Sequence, residues 1–165
     1  MKKLTAIVCA LLLGALATYA QPQAGDKAPA FALENTQEKT VTLKSLEGKW
    51  VVLDFWGSWC RWCIKGFPEM KAAYAEHKGK VEFVGLDWGD SRENWLKAVK
   101  AYELPWLNLR LDPDNGGKEL LEAYGIQGFP TKIVIDPKGV IRNVTVGEDP
   151  AFYPTLTSLL SNSRK

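Results

Sequence analysis

Two cysteines three residues apart, Cys60 and Cys63, follow a short apolar run at residues 51–56. An apolar run of this length is typical of a buried central strand. The residues after it predict a helix that extends to about position 77 and is interrupted by Pro68. Side chains at positions i and i+3 of a helix share one face, so the two sulfurs are expected to lie close together. The apolar run and the cysteine pair together favour a fold in which a buried strand leads into a helix that carries both cysteines.

The remaining segments alternate between strands and helices. The composition, 46% hydrophobic and 24% charged residues, is sufficient for one sizeable core. We predict a single α/β domain over residues 21–165, with a central mixed β-sheet flanked by helices. An N-terminal β-hairpin is expected within an extension at about residues 21–48, and an added strand and helix within residues 104–125. Strands are predicted at 81–87, 107–111, 131–136 and 140–146, and helices at 91–102, 118–124 and 150–160.

The first twenty residues have the pattern of a secretory signal peptide. Lys2 and Lys3 precede an apolar run at residues 4–17, and a small residue stands at the expected cleavage point. The run is shorter than the roughly 20 residues that span a bilayer, which makes an uncleaved membrane anchor the weaker alternative. We therefore predict an exported, periplasmic protein. Cys9 lies inside this leader and is expected to be removed with it.

The charge balance gives no support to two classes of partner. The chain has 21 basic and 19 acidic residues, and loss of the two leader lysines leaves 19 of each. A net charge near zero provides no electrostatic reason to expect nucleic acid or an anionic membrane as a partner. We expect a monomer with two cysteines in a compartment that permits disulfides.

Three uses of the cysteine pair can be compared. A structural bridge over so short a loop would contribute only about 2 kcal/mol, against nearly 5 kcal/mol for a loop of 100 residues. A zinc site needs four ligands, and His77 is the only other soft ligand. A redox pair fits better, because a helix start favours the thiolate of Cys60 and Cys63 lies one turn further in. In that reading Cys60 attacks a disulfide and Cys63 resolves the mixed disulfide.

Several segments of the sequence are similar to those of a known family. Residues 52–63, the segment at 25–29, Pro68 and the Gly-Phe-Pro-Thr sequence at 128–131 resemble thioredoxin and the exported TlpA/ResA-like thiol:disulfide oxidoreductases. The segment at 104–125 is similar to the exported group. The resemblance covers nearly all of the chain after the leader. It implies the thioredoxin fold, no cofactor and no metal, disulfide-bearing client proteins, and a membrane electron donor.

The resemblance also implies roles for residues outside the cysteine pair. Pro130 is expected to follow a cis peptide bond and to lie against the cysteines, where the backbone of its neighbour Phe129 pairs with substrate. Asp54 stands in an apolar strand, where a buried carboxylate raises its pKa or finds a partner. Its position matches the buried acid of thioredoxin, which implies that it takes the proton of Cys63, directly or through water. The alternative is an Asp at a strand edge that reaches solvent or a lysine.

The residues around the cysteines depart from the family pattern. Arg61 and Trp62 stand between the cysteines, where Arg61 would favour the Cys60 thiolate and Trp62 would offer an apolar contact to partners. Both could instead be merely exposed. Trp59, together with Trp56, is expected to wall the site, as the resemblance suggests.

Two further departures affect the acid and the substrate contact. Many exported relatives carry a Glu three residues after the second cysteine, but here that position is Gly66, so Asp54 is expected to act alone. Phe129 is bulkier than the residue usual before this proline. It would narrow the range of substrates, or it is a packing residue.

Several functions share this pattern. The leading interpretation is a reductant of protein disulfides, and the first alternative is an oxidase or isomerase on the same fold. A thiol peroxidase of the related peroxiredoxin group would need a Pro and Thr cradle, which residues 55–59 do not supply. A non-catalytic binding module or copper chaperone would need a His near the cysteines. His77, near a helix end, is expected to be a solvated or capping residue.

Overall fold

The computed structural model describes residues 22–163, so the predicted leader with Cys9 lies outside the described residues. The strands are β1 (Ala32–Glu34), β2 (Thr40–Thr42), β3 (Trp50–Trp56), β4 (Val81–Trp88), β5 (Leu107–Leu111), β6 (Thr131–Ile135) and β7 (Ile141–Val146). The helices are α1 (Arg61–Glu76), α2 (Arg92–Ala101), α3 (Lys118–Ala123) and α4 (Phe152–Asn162), with a short 3-10 turn at Leu43–Leu46.

Five strands form one mixed sheet in the order β5-β4-β3-β6-β7. Strands β3, β4 and β5 are parallel, whereas β6 runs antiparallel to β3 and β7 antiparallel to β6. β1 and β2 form a separate antiparallel hairpin before the sheet. The predicted α/β architecture is confirmed, including the N-terminal hairpin and the added strand and helix, which are β5 and α3.

Helices cover both faces of the sheet. Side chains of α1, α2 and α4 pack with Val52 and Trp56 of β3 on one face. Helix α3 and the hairpin pack with Leu53 and Phe55 on the other. β3 is therefore buried on both sides, which explains why its sequence is apolar almost throughout. No helix within residues 22–163 has the length and apolar character required to cross a membrane.

Local signals in the sequence account for the ends of several elements. Ser91 caps α2 by accepting a hydrogen bond from the Asn94 N–H at 3.2 Å. Gly125 follows α3 with a positive φ of 61°, a conformation that glycine adopts at no steric cost. Asp136 closes the β6–β7 turn, where its Oδ1 accepts from the Lys138 and Val140 N–H groups, both at 2.9 Å. These predicted boundaries are confirmed.

Strand register decides which polar side chains face α1. Val52 and Trp56 face that helix, and Asp54 lies between them in the alternation of β3. Lys132 is the direct cross-strand partner of Asp54 on β6. Asp87 of β4 pairs in register with Trp56 and faces the same side. The fold thus places three ionisable residues on the sheet face beneath the cysteine helix.

Candidate active site

Cys60 and Cys63 are joined by a disulfide at the start of α1. The sulfurs are 2.04 Å apart and the α carbons 5.3 Å apart. Cys60 is the N-cap of α1, and its Sγ accepts a hydrogen bond from the Cys63 N–H at 3.2 Å. Cys60 is 6% exposed and Cys63 2%. The unpaired N–H groups and the dipole of the helix start are therefore directed at the first sulfur, while the second lies deeper.

An aromatic wall stands beside the disulfide. The Trp59 ring meets the Phe129 ring edge to face, with centroids 5.1 Å apart, and its Nε1–H donates to the Trp88 carbonyl at 2.8 Å. Phe129 and Pro130 are joined by a cis peptide bond, as the resemblance implied. Trp59 remains 55% exposed, so this wall is open to a partner. Trp56, by contrast, is fully buried and belongs to the core, so only Trp59 lies on the outer surface.

The two residues between the cysteines face solvent. Trp62 is 60% exposed, and the Lys65 Nζ lies 5.0 Å from the centroid of its ring. Arg61 is exposed at the first position of α1. An exposed indole and the exposed Arg61 thus follow Cys60 directly in the chain, and Lys65 lies over the indole ring.

A buried carboxylate lies on the sheet under α1. Asp54 is 2% exposed on the central strand β3, and its Oδ1 is 3.7 Å from the Nζ of Lys132. That distance is an ion pair but too long for a hydrogen bond, and Oδ1 has no hydrogen-bond partner among the described residues. Burial raises the pKa of Asp54 from 3.8 to about 6, although Lys132 opposes the shift. Asp54 is thus buried and also reaches a lysine, and it does not lie at a strand edge.

A second carboxylate completes this layer. Glu148, in the loop after β7, contacts Lys132 with 2.9 Å between its Oε1 and the Lys132 Nζ. A Cβ atom added to Gly66 would stand 2.7 Å from the Glu148 Cδ, so the carboxylate lies directly against α1. Asp54 was expected to act alone at the site; a second carboxylate shares its layer, because the Glu148 side chain reaches the surface of Gly66 from another element.

A second pair of acids supports the segment before Cys60. The two Asp90 carboxylate oxygens accept from the backbone N–H and the hydroxyl of Ser58, both at 2.7 Å. Asp87 is fully buried and faces Asp90. Burial, with the Asp90 carboxylate as a smaller cause, raises the pKa of Asp87 to about 9. Asp87 is therefore protonated at neutral pH, which lets the two acids share one buried site.

Sequence reasoning missed Lys132, Glu148 and the Asp87–Asp90 pair. Lys132 carried the same signal as Asp54, a charge inside an apolar strand, and could have been found in that way. Glu148 had no local signal, since only the fold brings its loop to α1. Asp87, at the end of β4, also stood in an apolar run.

His77 does not take part in the site. It occupies the C-cap of α1, where its N–H donates to the Ala73 carbonyl at 2.9 Å, and its ring is buried beside the Thr157 hydroxyl. The capping interpretation fits, whereas the solvated one is wrong. At 1.5 Å per residue α1 separates His77 from Cys60 by about 25 Å, so His77 cannot complete a metal site with the cysteines.

Comparison with known proteins agrees with this geometry. The sequence profile of the AhpC/TSA family matches residues 24–144. The chain is 37% identical over 124 residues to the thiol-disulfide oxidoreductase ResA of Bacillus subtilis, covering 74% of this chain and 67% of that protein. It is 31% identical over 126 residues to the thioredoxin-like protein YneN of the same organism, covering 76% and 72%.

Solved structures show the same fold. The thioredoxin domain of a thiol-disulfide oxidoreductase from Bacteroides vulgatus superposes with a TM-score of 0.77 at 31% identity, covering 84% of this chain and 98% of that one. A thiol:disulfide interchange protein from a Bacteroides species gives a TM-score of 0.78 at 29% identity, covering 86% and 93%. Together with the cysteine pair at the start of α1, these findings show that the chain belongs to the AhpC/TSA family and is a thiol:disulfide oxidoreductase with the thioredoxin fold.

Proposed function

We propose that this oxidoreductase works outside the cytoplasm as a reductant of protein disulfides, with Cys60 as nucleophile and Cys63 as resolving cysteine. The observation that carries the assignment is the position of the Cys60 Sγ at the N-cap of α1, where it accepts the Cys63 N–H at 3.2 Å. A sulfur held there is stabilised as a thiolate, which is the attacking species in disulfide exchange.

The reaction balances with the two cysteines and one client disulfide. The Cys60 thiolate attacks one sulfur of the client, forms a mixed disulfide and releases a client thiolate. The Cys63 thiol then loses its proton and attacks the Cys60 sulfur, which releases the second client thiolate. The client disulfide is reduced to two thiols and the Cys60–Cys63 pair is oxidised to the bridge present in the structure.

Asp54 is proposed to accept the proton of Cys63. Both side chains belong to the layer between β3 and α1, and both are 2% exposed. A carboxylate with a pKa near 6 is a stronger base than an ordinary aspartate, yet it remains mostly ionised at pH 7. Burial therefore raises the pKa of Asp54 into a range that suits it to accept a proton from a thiol.

The exposed surface around Cys60 is proposed to bind the client. Trp59 and Phe129 form its apolar wall beside cis Pro130, while Arg61 and Trp62 form its other side. Exposed aromatic and cationic side chains are enriched where proteins bind other proteins. Disulfide-bearing client proteins are accordingly the proposed partners of a monomeric enzyme.

The proposed location rests on the sequence, and the proposed direction of electron flow rests on the resemblance to the exported TlpA/ResA-like oxidoreductases. The leader pattern at residues 1–20 supports an extracytoplasmic enzyme. An oxidising compartment would return the pair to the disulfide, so a reductant there needs a donor. A membrane electron donor that re-reduces the pair is proposed for this reason.

Two cysteine variants test the chemistry. Cys60→Ser should abolish the reduction of insulin, whereas Cys63→Ser should retain the first attack and accumulate mixed disulfides with client proteins. The stranded complexes, identified by mass spectrometry, would name the clients. Insulin reduction that is unchanged in Cys60→Ser would eliminate the nucleophile assigned here.

A reduction potential tests the direction. We expect a reducing potential and a pair found mainly as dithiol in cells by thiol alkylation. A potential near that of strong oxidants, with the pair found oxidised, would reverse the direction and make the protein an oxidase or isomerase. If the reduced protein consumed hydrogen peroxide at a rate comparable to its reduction of insulin, the result would instead favour a peroxidase.

A further inference from the structure

Gly66 is an unusual residue for its position in α1. It is buried in the middle of the helix, one turn after Cys63, where glycine is less favourable than alanine by about 1 kcal/mol. A glycine at such a place needs a reason in packing or function. The reason is visible on its surface: an added Cβ would stand 2.7 Å from the Cδ and 2.8 Å from the Oε2 of Glu148. The missing side chain makes room for the Glu148 carboxylate.

The loop after β7 holds Glu148 in this position. Gly147 has a φ of 80°, and its N–H donates to the Pro130 carbonyl at 2.7 Å. The turn is thus attached to cis Pro130, which the family resemblance places against the cysteines. Glu148 begins at this anchor and extends across to Gly66, with 26% of its side chain exposed. It is the part of the buried charge layer that solvent can reach.

Glu148 competes with Asp54 for one cation. Lys132 lies 2.9 Å from the Glu148 Oε1 but 3.7 Å from the Asp54 Oδ1, and its own side chain is only 4% exposed. A lysine shared in this way cannot form a full ion pair with Asp54. Since a close lysine would weaken Asp54 as a base, the position of Glu148 bears directly on the chemistry of Asp54.

We propose that Glu148 is a positioning residue of the active site: seated in the space left by Gly66, it draws Lys132 towards itself and so keeps Asp54 able to accept the proton of Cys63. The proposal rests on the proposed function of Asp54 and Cys63. It adds to the site an acid that comes from a different element.

The titratable groups that face Asp54 among the described residues come from four different elements. Lys132 faces it from β6, Cys63 lies on α1, and Glu148 approaches from the loop after β7. Tyr153 of α4 faces the same layer; its hydroxyl is buried without a hydrogen-bond partner among the described residues, and burial raises its pKa, with Asp54, Glu148 and Glu69 of α1 adding to the shift. Glu148 raises the pKa of Asp54 while Lys132 lowers it.

Glu148→Gln is the central test, because it keeps the shape of the side chain and removes its charge. The reduced protein is mixed with the chromogenic disulfide DTNB in a stopped-flow instrument at a series of pH values. The first thiolate released reports the attack by Cys60, and the second reports the resolution by Cys63. We expect the acid limb of the second phase to move down by about one pH unit, and its rate at pH 7 to fall several-fold, with the first phase unchanged.

Gly66→Ala disturbs the same contact between Gly66 and the Glu148 carboxylate, here by changing the glycine. The added methyl group would displace the Glu148 carboxylate, so the second phase should shift as in Glu148→Gln, although the melting temperature stays equal or rises. Moving the acid to the helix, with Gly66→Glu and Glu148→Ala together, should restore the profile of the parent. Glu119→Gln is the matched control for the loss of one charge, because Glu119 is exposed and belongs to α3, which covers the other face of the sheet.

The outcomes separate the two proposals. A second phase with the parent's pH midpoint in Glu148→Gln, in a protein of normal stability, would overturn the role of Glu148 and leave the cysteine chemistry intact. An equal shift in Glu119→Gln would also overturn it, since the effect would then be one of net charge. If Cys63→Ser still releases the second thiolate, the proposed function itself fails.

Discussion

Two buried aspartates lie on the same sheet face under the cysteine helix, and they differ in their partners. Asp54 on β3 faces a lysine, and its pKa is raised only to about 6. Asp87 on the neighbouring strand β4 faces another acid, and its pKa is raised to about 9. Burial is the largest cause in both cases. The next cause lowers the pKa of Asp54, where it is the Lys132 charge. For Asp87 the next cause raises the pKa, because it is a hydrogen bond with Asp90 that the Arg110 charge only partly offsets.

The comparison shows how one kind of residue serves two purposes. At pH 7 Asp54 is mostly ionised and can accept a proton, whereas Asp87 is protonated and cannot. Asp54 is therefore suited to chemistry at Cys63. Asp87 is suited to support Asp90, which holds the Ser58 backbone and hydroxyl just before Cys60.

Replacement of Asp54 should have the largest effect, a loss in the rate of resolution by Cys63. Asp54→Asn removes the proposed proton acceptor, so resolution by Cys63 at pH 7 should slow by a factor on the order of 10². The second phase of the DTNB reaction measures this rate. Asp87→Asn is the matched control and should stay close to the parent; an equal loss in both variants would remove the distinction between the two acids.

Asp54→Asn should also be more stable than the parent at pH 8. The folded-state pKa of Asp54 is raised, so its contribution to stability is present below pH 3.8 and is lost as the pH rises through about 6. At pH 8 the buried carboxylate therefore costs about 3 kcal/mol, most of which Asn avoids. Urea unfolding at pH 8 should show a higher midpoint for Asp54→Asn, and a lower one would contradict the raised pKa.

A smaller effect is expected at Asp90. Asp90→Asn leaves one fewer acceptor for the two Ser58 donors, which should lower the free energy of unfolding by about 2 kcal/mol. It should reduce turnover far less than Asp54→Asn does, since it only loosens the segment before Cys60. Ser58→Ala, which removes the hydroxyl alone, should show a milder loss in the same unfolding assay. Full stability in Asp90→Asn would show that these hydrogen bonds contribute nothing.

The smallest effect on turnover is expected at Asp87, where the change is in the pH dependence of stability. Because its folded-state pKa is raised to about 9, the parent should lose about 1.4 kcal/mol of stability for each pH unit between 7 and 8.5 from this residue. Asp87→Asn should lack that slope, whereas Asp54→Asn should keep it. Urea unfolding at several pH values makes the comparison, and an unchanged slope in Asp87→Asn would place the titration elsewhere.

Much of this protein could be predicted from the chain alone. The apolar run of β3, the cysteine pair and the turn at residues 136–139 are local patterns, and each became the expected element. Asp54 was identified because a charge in an apolar strand is visible without a structure. Local sequence carries these features because they depend on neighbours within a few residues.

The partners of Asp54 were decided only by the tertiary structure. Lys132 lies opposite it because β6 pairs with β3 in one antiparallel register, and Glu148 reaches Gly66 because the loop after β7 is attached to Pro130. These groups are far apart in the sequence, and no local pattern relates their positions. The sequence therefore determined which acid lies beneath the cysteines, whereas the packing of strands determined how strongly that acid holds a proton, because the pKa of a buried group depends on the charges brought next to it.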